Sequence, residues 1–447
     1  MGKISINILM CFISILFYIS APQTYSYEFC FFVFIAYIFF NVVYFLQDIK
    51  NRNLSFEFLF MISFLMTNFI YPVFYYLNNP AISLFAFSFN ENVISKSTSL
   101  ALLGYAFYIL GNSNYKKNVR LKYNEIKISD HIVWIVFFLS LVNFIIFFSL
   151  GGLSFYKDIY SGGNAESGVS VYFMLFLSVT TYLLSVLIFN NNNRLLKIII
   201  LFYILGLIIV FLSTGARLFA MSLALLLLIQ YSNFIKKIPV AVVSMLMFIG
   251  AFLLHVVQVY REIGVDNSSF SAVLVELFNG KSSVFDSFLD LIINNRNLYV
   301  LTDFVDSYGY VYFLNVSASV FGVFPGIKSL MNFFSIPDYM TSGTLPTFLE
   351  FGYNASFGLG TNMVGEAYLS LGVLGVVFVF FAFGVMINYF NNKAKINIYY
   401  RICFFFLASQ AVFFPRIDYL WGTRLVVWML VTYFLVKLFS KFLKSNH

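Results

Sequence analysis

Apolar stretches long enough to cross a membrane recur along almost the whole chain. A helix needs about 20 apolar residues to span the hydrocarbon core of a bilayer, and these stretches approach that length. They are continuous rather than alternating in polarity, which excludes a transmembrane barrel. With 61% hydrophobic and 10% charged residues, the sequence predicts an all-α polytopic membrane protein, folded as a single integral membrane domain over residues 1–447.

Twelve transmembrane helices are predicted from these stretches, and the fourth is short. We expect the first to be retained as a helix and not removed as a signal peptide. All three cysteines fall inside apolar stretches, which indicates buried thiols and no disulfide framework. The predicted spans lie near residues 4–20, 28–47, 56–78, 98–111, 132–150, 170–189, 196–212, 217–234, 238–258, 363–390, 399–414 and 425–442.

The basic residues divide unequally between the two sides of this topology. Two thirds of the 27 lysines and arginines lie on the side that holds both chain termini. The positive-inside rule therefore predicts cytoplasmic N- and C-termini. The net charge of +8 reflects this division and does not indicate nucleic acid. Lysine dominates the inner side, whereas five arginines lie on the outer side, where a basic surface is not expected.

A long outer loop, residues 259–361, joins the ninth and tenth spans. It is rich in Asp and Glu, yet it contains apolar stretches such as Ser271–Phe278 and Val311–Val323. Aromatic and β-branched residues are too frequent for a disordered linker. We expect short amphipathic helices that lie on the membrane, or a re-entrant segment that covers a cavity, as part of the same domain.

Three outer arginines lie at the ends of predicted helices. Arg217 begins the eighth span after the tight turn Ser213–Ala216, and Arg424 precedes the last span. A helix N-terminus repels a structural cation, whereas its free N–H groups together with an arginine favour a bound anion. Arg416 shares a short loop with Arg424. Ligand binding is the favoured interpretation, and arginines that reach the membrane interface are the alternative.

Other polar and aromatic residues accompany these arginines. Asp418, Tyr419 and Trp421 lie between Arg416 and Arg424, where the aromatic rings could stack on sugars or form an interfacial belt. At the end of the ninth span, Tyr260 precedes Arg261, which either binds the anion or pairs with the neighbouring glutamate.

Glu366 is a carboxylate close to the start of the tenth span. It could act as a general base or as the structural partner of an arginine, and the sequence slightly favours the second role. The sequence contains no cluster of His, Cys and carboxylates at metal-ligand spacing and no phosphate-binding loop motif. We therefore expect neither a metal nor a cofactor.

The chain resembles the O-antigen (Wzy-type) repeat-unit polymerases. The resemblance rests on Ser213–Arg217, the long outer loop, Leu359–Tyr368 leading into a helix with Gly372 and Gly375, and the late loop Arg416–Arg424. It implies a GT-C-like membrane glycosyltransferase of the bacterial inner membrane, active at the periplasmic face in lipopolysaccharide biosynthesis. Such an enzyme would transfer the growing glycan from undecaprenyl diphosphate to a new lipid-linked repeat unit.

The resemblance also suggests roles for the candidate residues. Arginines would stabilise the leaving diphosphate without a metal, and a carboxylate would deprotonate the acceptor hydroxyl. We assign Arg217, Arg416, Arg424 and, less centrally, Arg261 to the diphosphate, Glu366 or Asp306 to the base, Asp418 to orienting an arginine, and Tyr260, Tyr419 and Trp421 to sugar or lipid contacts. A chain-length regulator and a flippase are the expected protein partners.

Two other functions stay open at this point. An O-antigen ligase would share the donor and the overall design but would transfer the glycan to the lipid A core. A lipid-linked oligosaccharide flippase could also have twelve helices. Flippases generally have repeated halves and cations within a central cavity, and the sequence shows neither feature clearly.

Overall fold

The computed structural model describes most of the chain. The outer loop and the preceding span contain the longest undescribed stretch, 257–285, and only isolated residues are described between 240 and 256. The described ranges are 3–46, 54–77, 89–114, 126–151, 168–213, 217–239, 286–324, 333–340, 343–355 and 358–445, together with isolated residues such as Tyr123 and Met331.

Nearly every ordered element among the described residues is a helix, as the apolar stretches predict. The α-helices are α1 (Lys3–Ile19), α2 (Tyr27–Leu46), α3 (Phe56–Asn68), α4 (Ile94–Asn114), α5 (Asp130–Ser149), α6 (Gly168–Ile188), α7 (Arg194–Ser213), α8 (Arg217–Phe234), α9 (Asp286–Ile293), α10 (Asn295–Tyr308), α11 (Ser317–Phe321), α12 (Leu345–Phe351), α13 (Met363–Ala394), α14 (Ile398–Ser409) and α15 (Thr423–Ser445).

A helix lies at each predicted span except the ninth, 238–258, which falls almost wholly outside the described residues. Six helices of the described part are long and apolar enough to cross a membrane, and α1, α3, α14 and parts of α6 and α8 form shorter apolar helices. The described part of the chain is thus all-helical, as expected for a polytopic membrane protein. Helix α4 begins four residues before the predicted span because its polar first turn is buried against protein rather than lipid.

Side-chain caps define where several helices begin. Ser55 accepts a hydrogen bond from the backbone N–H of Phe58 at the start of α3. Asn397 accepts one from Tyr399 at the start of α14. Ser and Asn are favoured N-caps because their side-chain oxygens satisfy N–H groups that have no partner within the helix.

The chain divides into two compact units. Unit 1 comprises Met1–Arg120, Leu289–Asn392 and Ala411–Arg424. In it, α4 packs against α1, α2 and α10. Glycines allow α4 and α13 to approach closely: a Cβ at Gly111 would lie 2.2 Å from the Phe381 carbonyl oxygen, and one at Gly384 would lie 2.3 Å from that of Tyr108. Larger side chains would force the two backbones apart.

Unit 2 comprises Leu121–Phe288, Lys393–Gln410 and Leu425–His447. In it, α5 packs on α6, and α8 packs on α7 and α14. The guanidinium of Arg401 is fully buried and donates hydrogen bonds to the backbone oxygens of Ala394 (2.8 Å) and Lys395 (3.1 Å). It also lies over the rings of Tyr123 and Phe234, so that both hydrogen bonds and cation–π contacts stabilise the buried charge.

Helix α13 is broken after its second turn. Leu371 (φ −157°, ψ 33°) and Gly372 (φ 61°, ψ −146°) leave the helical conformation. The N–H of Val311 donates to the Leu369 carbonyl at 2.8 Å and satisfies one of the groups that the break releases. A broken helix is stable in an apolar environment only where other protein groups satisfy its backbone in this way. The break therefore makes the first half of α13 a short helix that is distinct from the second half.

The described part of the outer loop contains α9 to α12, four short helices. The apolar stretch Val311–Val323 forms a 3₁₀ turn, Leu314–Val316, followed by α11. Asn297 Nδ2 donates to the Leu359 carbonyl at 2.9 Å, and Leu359 N–H donates to Thr347 Oγ1 at 2.9 Å. Helices α10 and α12 therefore position the segment that leads into α13.

Candidate active site

The candidate site forms around the first half of α13, in unit 1. Asn362 caps this helix, since its Oδ1 accepts a hydrogen bond from Val364 N–H at 2.9 Å. The other end of the same amide donates to Asn68 Oδ1 at the end of α3, also at 2.9 Å. Glu366 follows in the first turn, where the helix dipole favours a carboxylate. Its side chain is fully buried.

Three neutral groups donate hydrogen bonds to Glu366. Thr361 Oγ1 lies 2.5 Å and Gly343 N 3.3 Å from Oε1, and Asn315 Nδ2 lies 2.5 Å from Oε2. None of the salt bridges among the described residues involves Glu366. The predicted arginine partner is therefore not found in the described part of the chain. Neutral donors stabilise a buried carboxylate without cancelling its charge.

A chain of hydrogen bonds joins Glu366 to the Arg416–Arg424 loop. Asn315 Oδ1 accepts from Ser370 Oγ at 3.0 Å, and Ser370 Oγ lies 2.7 Å from the Tyr419 hydroxyl. Burial raises the pKa of Tyr419, and Ser370 opposes this shift only in part. Tyr419 therefore stays protonated and can donate to Ser370. The structure thus brings together two elements that the sequence separates by about 50 residues.

The loop itself is ordered around Asp418, which is 5% exposed. Its carboxylate accepts hydrogen bonds from Leu420 N–H (2.7 Å) and from Ser319 Oγ of α11 (3.1 Å), and it lies close enough to the Glu366 carboxylate for the two like charges to repel each other. Arg416 ends the 3₁₀ turn Phe414–Arg416, and its backbone oxygen lies 3.8 Å from where a Cβ of Gly360 would be. The loop therefore borders the start of α13.

The other predicted residues fall into three groups. Arg424, in the first turn of α15, and Trp421 are partly buried in the described loop. Arg217 is the first residue of α8, as predicted, but its side chain is not among those described. Arg261 and Tyr260 lie outside the described residues. The diphosphate role of all these arginines remains a prediction.

Asp306 lies in a different environment from Glu366. Lys96 of α4 contacts both its carboxylate oxygens at 2.7 Å, and the Tyr368 hydroxyl donates to Oδ1 at 2.9 Å. In this partly exposed ion pair, both carboxylate oxygens of Asp306 already accept hydrogen bonds. Between the two predicted bases, the geometry favours Glu366.

Several residues of the site were not predicted. Asn315, Thr361 and Ser370 complete the network around Glu366, and the only sequence signal for Asn315 was one amide within an apolar stretch. Arg296 of α10 pairs with Glu350 of α12 at 2.7 Å and is 4% exposed. Burial lowers the pKa of Arg296, and the Glu350 carboxylate counteracts this. Spacing in the sequence cannot reveal pairs that only the fold brings together.

The described residues contain no group of three or more His, Cys, Asp and Glu side chains that could hold a metal ion. They do contain the buried carboxylate of Glu366, which accepts hydrogen bonds from neutral donors and is joined by further hydrogen bonds to the Arg416–Arg424 loop.

The sequence profile of the O-antigen polysaccharide polymerase Wzy family matches residues 5–447.

The chain belongs to this family. The match covers essentially the whole length, so both units and the outer loop are part of the Wzy sequence pattern. The resemblance stated from the sequence is thereby confirmed, and membership implies polymerisation of O-antigen repeat units. No curated protein and no solved structure matches the chain.

Proposed function

We propose that this chain is a metal-independent glycosyltransferase that polymerises undecaprenyl-diphosphate-linked repeat units at the periplasmic face of the bacterial inner membrane. In this proposal it has twelve transmembrane helices, a GT-C-like design and cytoplasmic termini. The observation that carries the proposal, beyond the Wzy match, is the buried Glu366 and its connection through Ser370 to the Tyr419 loop.

Glu366 is the proposed general base. Thr361 Oγ1, 2.5 Å from Oε1, occupies the kind of position that an acceptor sugar hydroxyl would take during the reaction. When the acceptor replaces it, Glu366 takes the hydroxyl proton and the acceptor oxygen bonds to the anomeric carbon of the donor sugar. The bond from that carbon to the diphosphate oxygen breaks, and the diphosphate leaves with the electron pair.

Arginines stabilise the charge that develops on the leaving group. Arg416 and Arg424 flank the loop that Tyr419 connects to Glu366, and Arg217 begins a helix whose N–H groups also favour an anion. In this scheme Asp418 orders the loop through Leu420 and Ser319 and orients an arginine. Guanidinium groups match the geometry of a diphosphate and can replace a metal ion.

The test is polymer formation by purified protein from a synthetic lipid-diphosphate repeat unit in the presence of EDTA. We expect Glu366→Gln and Arg416→Ala to lower the rate by roughly a hundredfold or more, as expected for loss of a base or of charge stabilisation. The matched controls are Glu28→Gln and Arg194→Ala, which make the same changes at exposed positions and should leave the rate unchanged.

The results separate the three candidate functions. A ladder of products supports the polymerase, and a Glu366→Gln variant as active as the wild type would overturn the role of Glu366. Transfer only when lipid A core is supplied would identify a ligase. Movement of lipid-linked substrate across vesicles without bond formation would identify a flippase.

A further inference from the structure

A polar cavity lies in unit 1, formed by the end of α1, the start of α4 and α10. Its volume is about 560 Å³, within the roughly 300–1,000 Å³ that is typical of small-molecule sites. Its polar lining consists of Tyr18, Gln23, Asn90, Asn92, Lys96, Asp303, Asp306 and Ser307. By the predicted topology this cavity faces the same side of the membrane as the candidate active site.

The charges in the cavity are fixed in position by neighbouring groups. Lys96 contacts both oxygens of Asp306 at 2.7 Å, and Tyr368 donates to the same carboxylate. Asn90 Nδ2 donates to Asp303 Oδ1 at 2.8 Å. Asp303 and Asp306 are three residues apart on α10, so they project from one face of that helix.

Other polar groups of the lining remain available to a ligand. Among the described residues, the side-chain amides of Gln23 and Asn92 take part in none of the hydrogen bonds, and Asp303 accepts one only at Oδ1. Each amide offers both donors and an acceptor, and a carboxylate oxygen offers further acceptor sites. Ile19, Pro22 and Val93 add apolar surface. The hydrogen-bond donors and acceptors suit the hydroxyls of a sugar, and the apolar surface beside them suits its C–H faces.

The charge balance selects the kind of sugar. One lysine faces two aspartates, so the ionised lining carries a net negative charge. A diphosphate or an acidic sugar would be repelled, whereas an uncharged saccharide would not. Tyr308, which follows the lining residue Ser307 at the end of α10, is 80% exposed. Such an exposed ring can stack on a further sugar unit.

We propose that this cavity binds uncharged sugar units of the glycan, apart from the diphosphate that the arginine-bearing loop is proposed to hold. The inference rests on the proposed function for the identity of the glycan. It adds a separate saccharide subsite, built by α1, α4 and α10, that would hold the lipid-linked chain by its sugars while its diphosphate end lies elsewhere.

The test measures binding of the repeat-unit oligosaccharide, released from its lipid and phosphate, to the full-length protein in lipid nanodiscs. We expect Gln23→Leu and Asn92→Leu each to weaken binding about tenfold, because each removes hydrogen bonds to the ligand. Thr24→Leu is the matched control: it makes the same kind of change at an exposed neighbour outside the cavity and should not change the Kd. Inorganic pyrophosphate should not compete.

Three results would overturn the inference: no binding by the wild-type protein, unchanged binding by both cavity variants, or displacement of the oligosaccharide by pyrophosphate. The polymerisation assay is independent of this measurement. Loss of polymer in Glu366→Gln together with unaffected binding in the cavity variants would refute the subsite alone. Binding that depends on Gln23 and Asn92 in a protein without polymerase activity would support the subsite and refute the proposed function.

Discussion

The stabilisation that the hydrogen bond from Asn315 to Glu366 provides should depend strongly on the charge of Glu366. Asn315 Nδ2 lies 2.5 Å from Oε2, and both side chains are at most 1% exposed. Asn315→Ala removes this donor and the acceptor of Ser370. Loss of a buried hydrogen bond to a charged group costs about 2–3 kcal/mol, against roughly 1 kcal/mol for a neutral pair.

A double-mutant cycle measures this difference. In the Glu366→Gln background, Asn315→Ala should destabilise the protein by only about 1 kcal/mol, which leaves a coupling energy of about 1–2 kcal/mol. The assay is reversible unfolding in mixed micelles on titration with SDS, followed by intrinsic tryptophan fluorescence. A second cycle with Asn397→Ala, at the N-cap of α14, supplies the control and should be additive.

The reasoning would be refuted if the losses of stability in Asn315→Ala and Glu366→Gln were additive within about 0.5 kcal/mol. Additivity would mean that Glu366 is stabilised by other groups and that Asn315 only fills space. Polymer formation by Asn315→Ala, measured on the folded fraction, should also fall, because the carboxylate would lose the donor that orients it.

Three further predictions concern the packing and the buried charges. Gly384→Ala should destabilise the protein by about 1–3 kcal/mol or more, since its Cβ would meet the Tyr108 backbone, whereas Gly206→Ala, with nothing within 4 Å, should not; the same SDS titration compares them. Arg401→Lys should cost about 2–3 kcal/mol, because an ammonium cannot reproduce its hydrogen bonds to two backbone oxygens, and Arg194→Lys at an exposed position should be neutral. Glu350→Gln should lower the free energy of unfolding by about 2 kcal/mol, which is less than the loss expected for a fully buried ion pair, because Glu350 keeps 20% exposure. The double variant Arg296→Met with Glu350→Leu should recover most of that stability, as measured by thermal unfolding.

Much of the fold could be predicted because membrane helices leave a direct signal. Spans such as 28–47 and 132–150 agree closely with α2 and α5, whose apolar surfaces are largely exposed. Helix α4 was predicted less well, since it is mostly buried within the protein and therefore tolerates polar residues. The break in α13 was also missed, because Gly372 gives no sign from composition alone that its φ is positive.

The candidate site, like the fold, could be predicted from the sequence only in part. Glu366, Asp418 and Tyr419 could be selected from the sequence, because polar residues beside apolar spans are costly and need a reason. Their common network could not, since it depends on Asn315 and Ser370, whose types are ordinary in a loop and in a helix. The cavity formed by Gln23, Asn92 and Asp303 had no sequence signal either, as its residues come from three distant segments.

The sequence by itself determined the class of fold, because apolar helices of membrane length are a local property of the chain. It also determined family membership and the inventory of outer arginines and carboxylates. Only the tertiary structure decided which carboxylate is buried among neutral donors and which is paired with Lys96. The physical reason is that burial and hydrogen bonding depend on contacts between segments far apart in the chain, and the environment of Glu366 or Asp306 exists only when those segments meet.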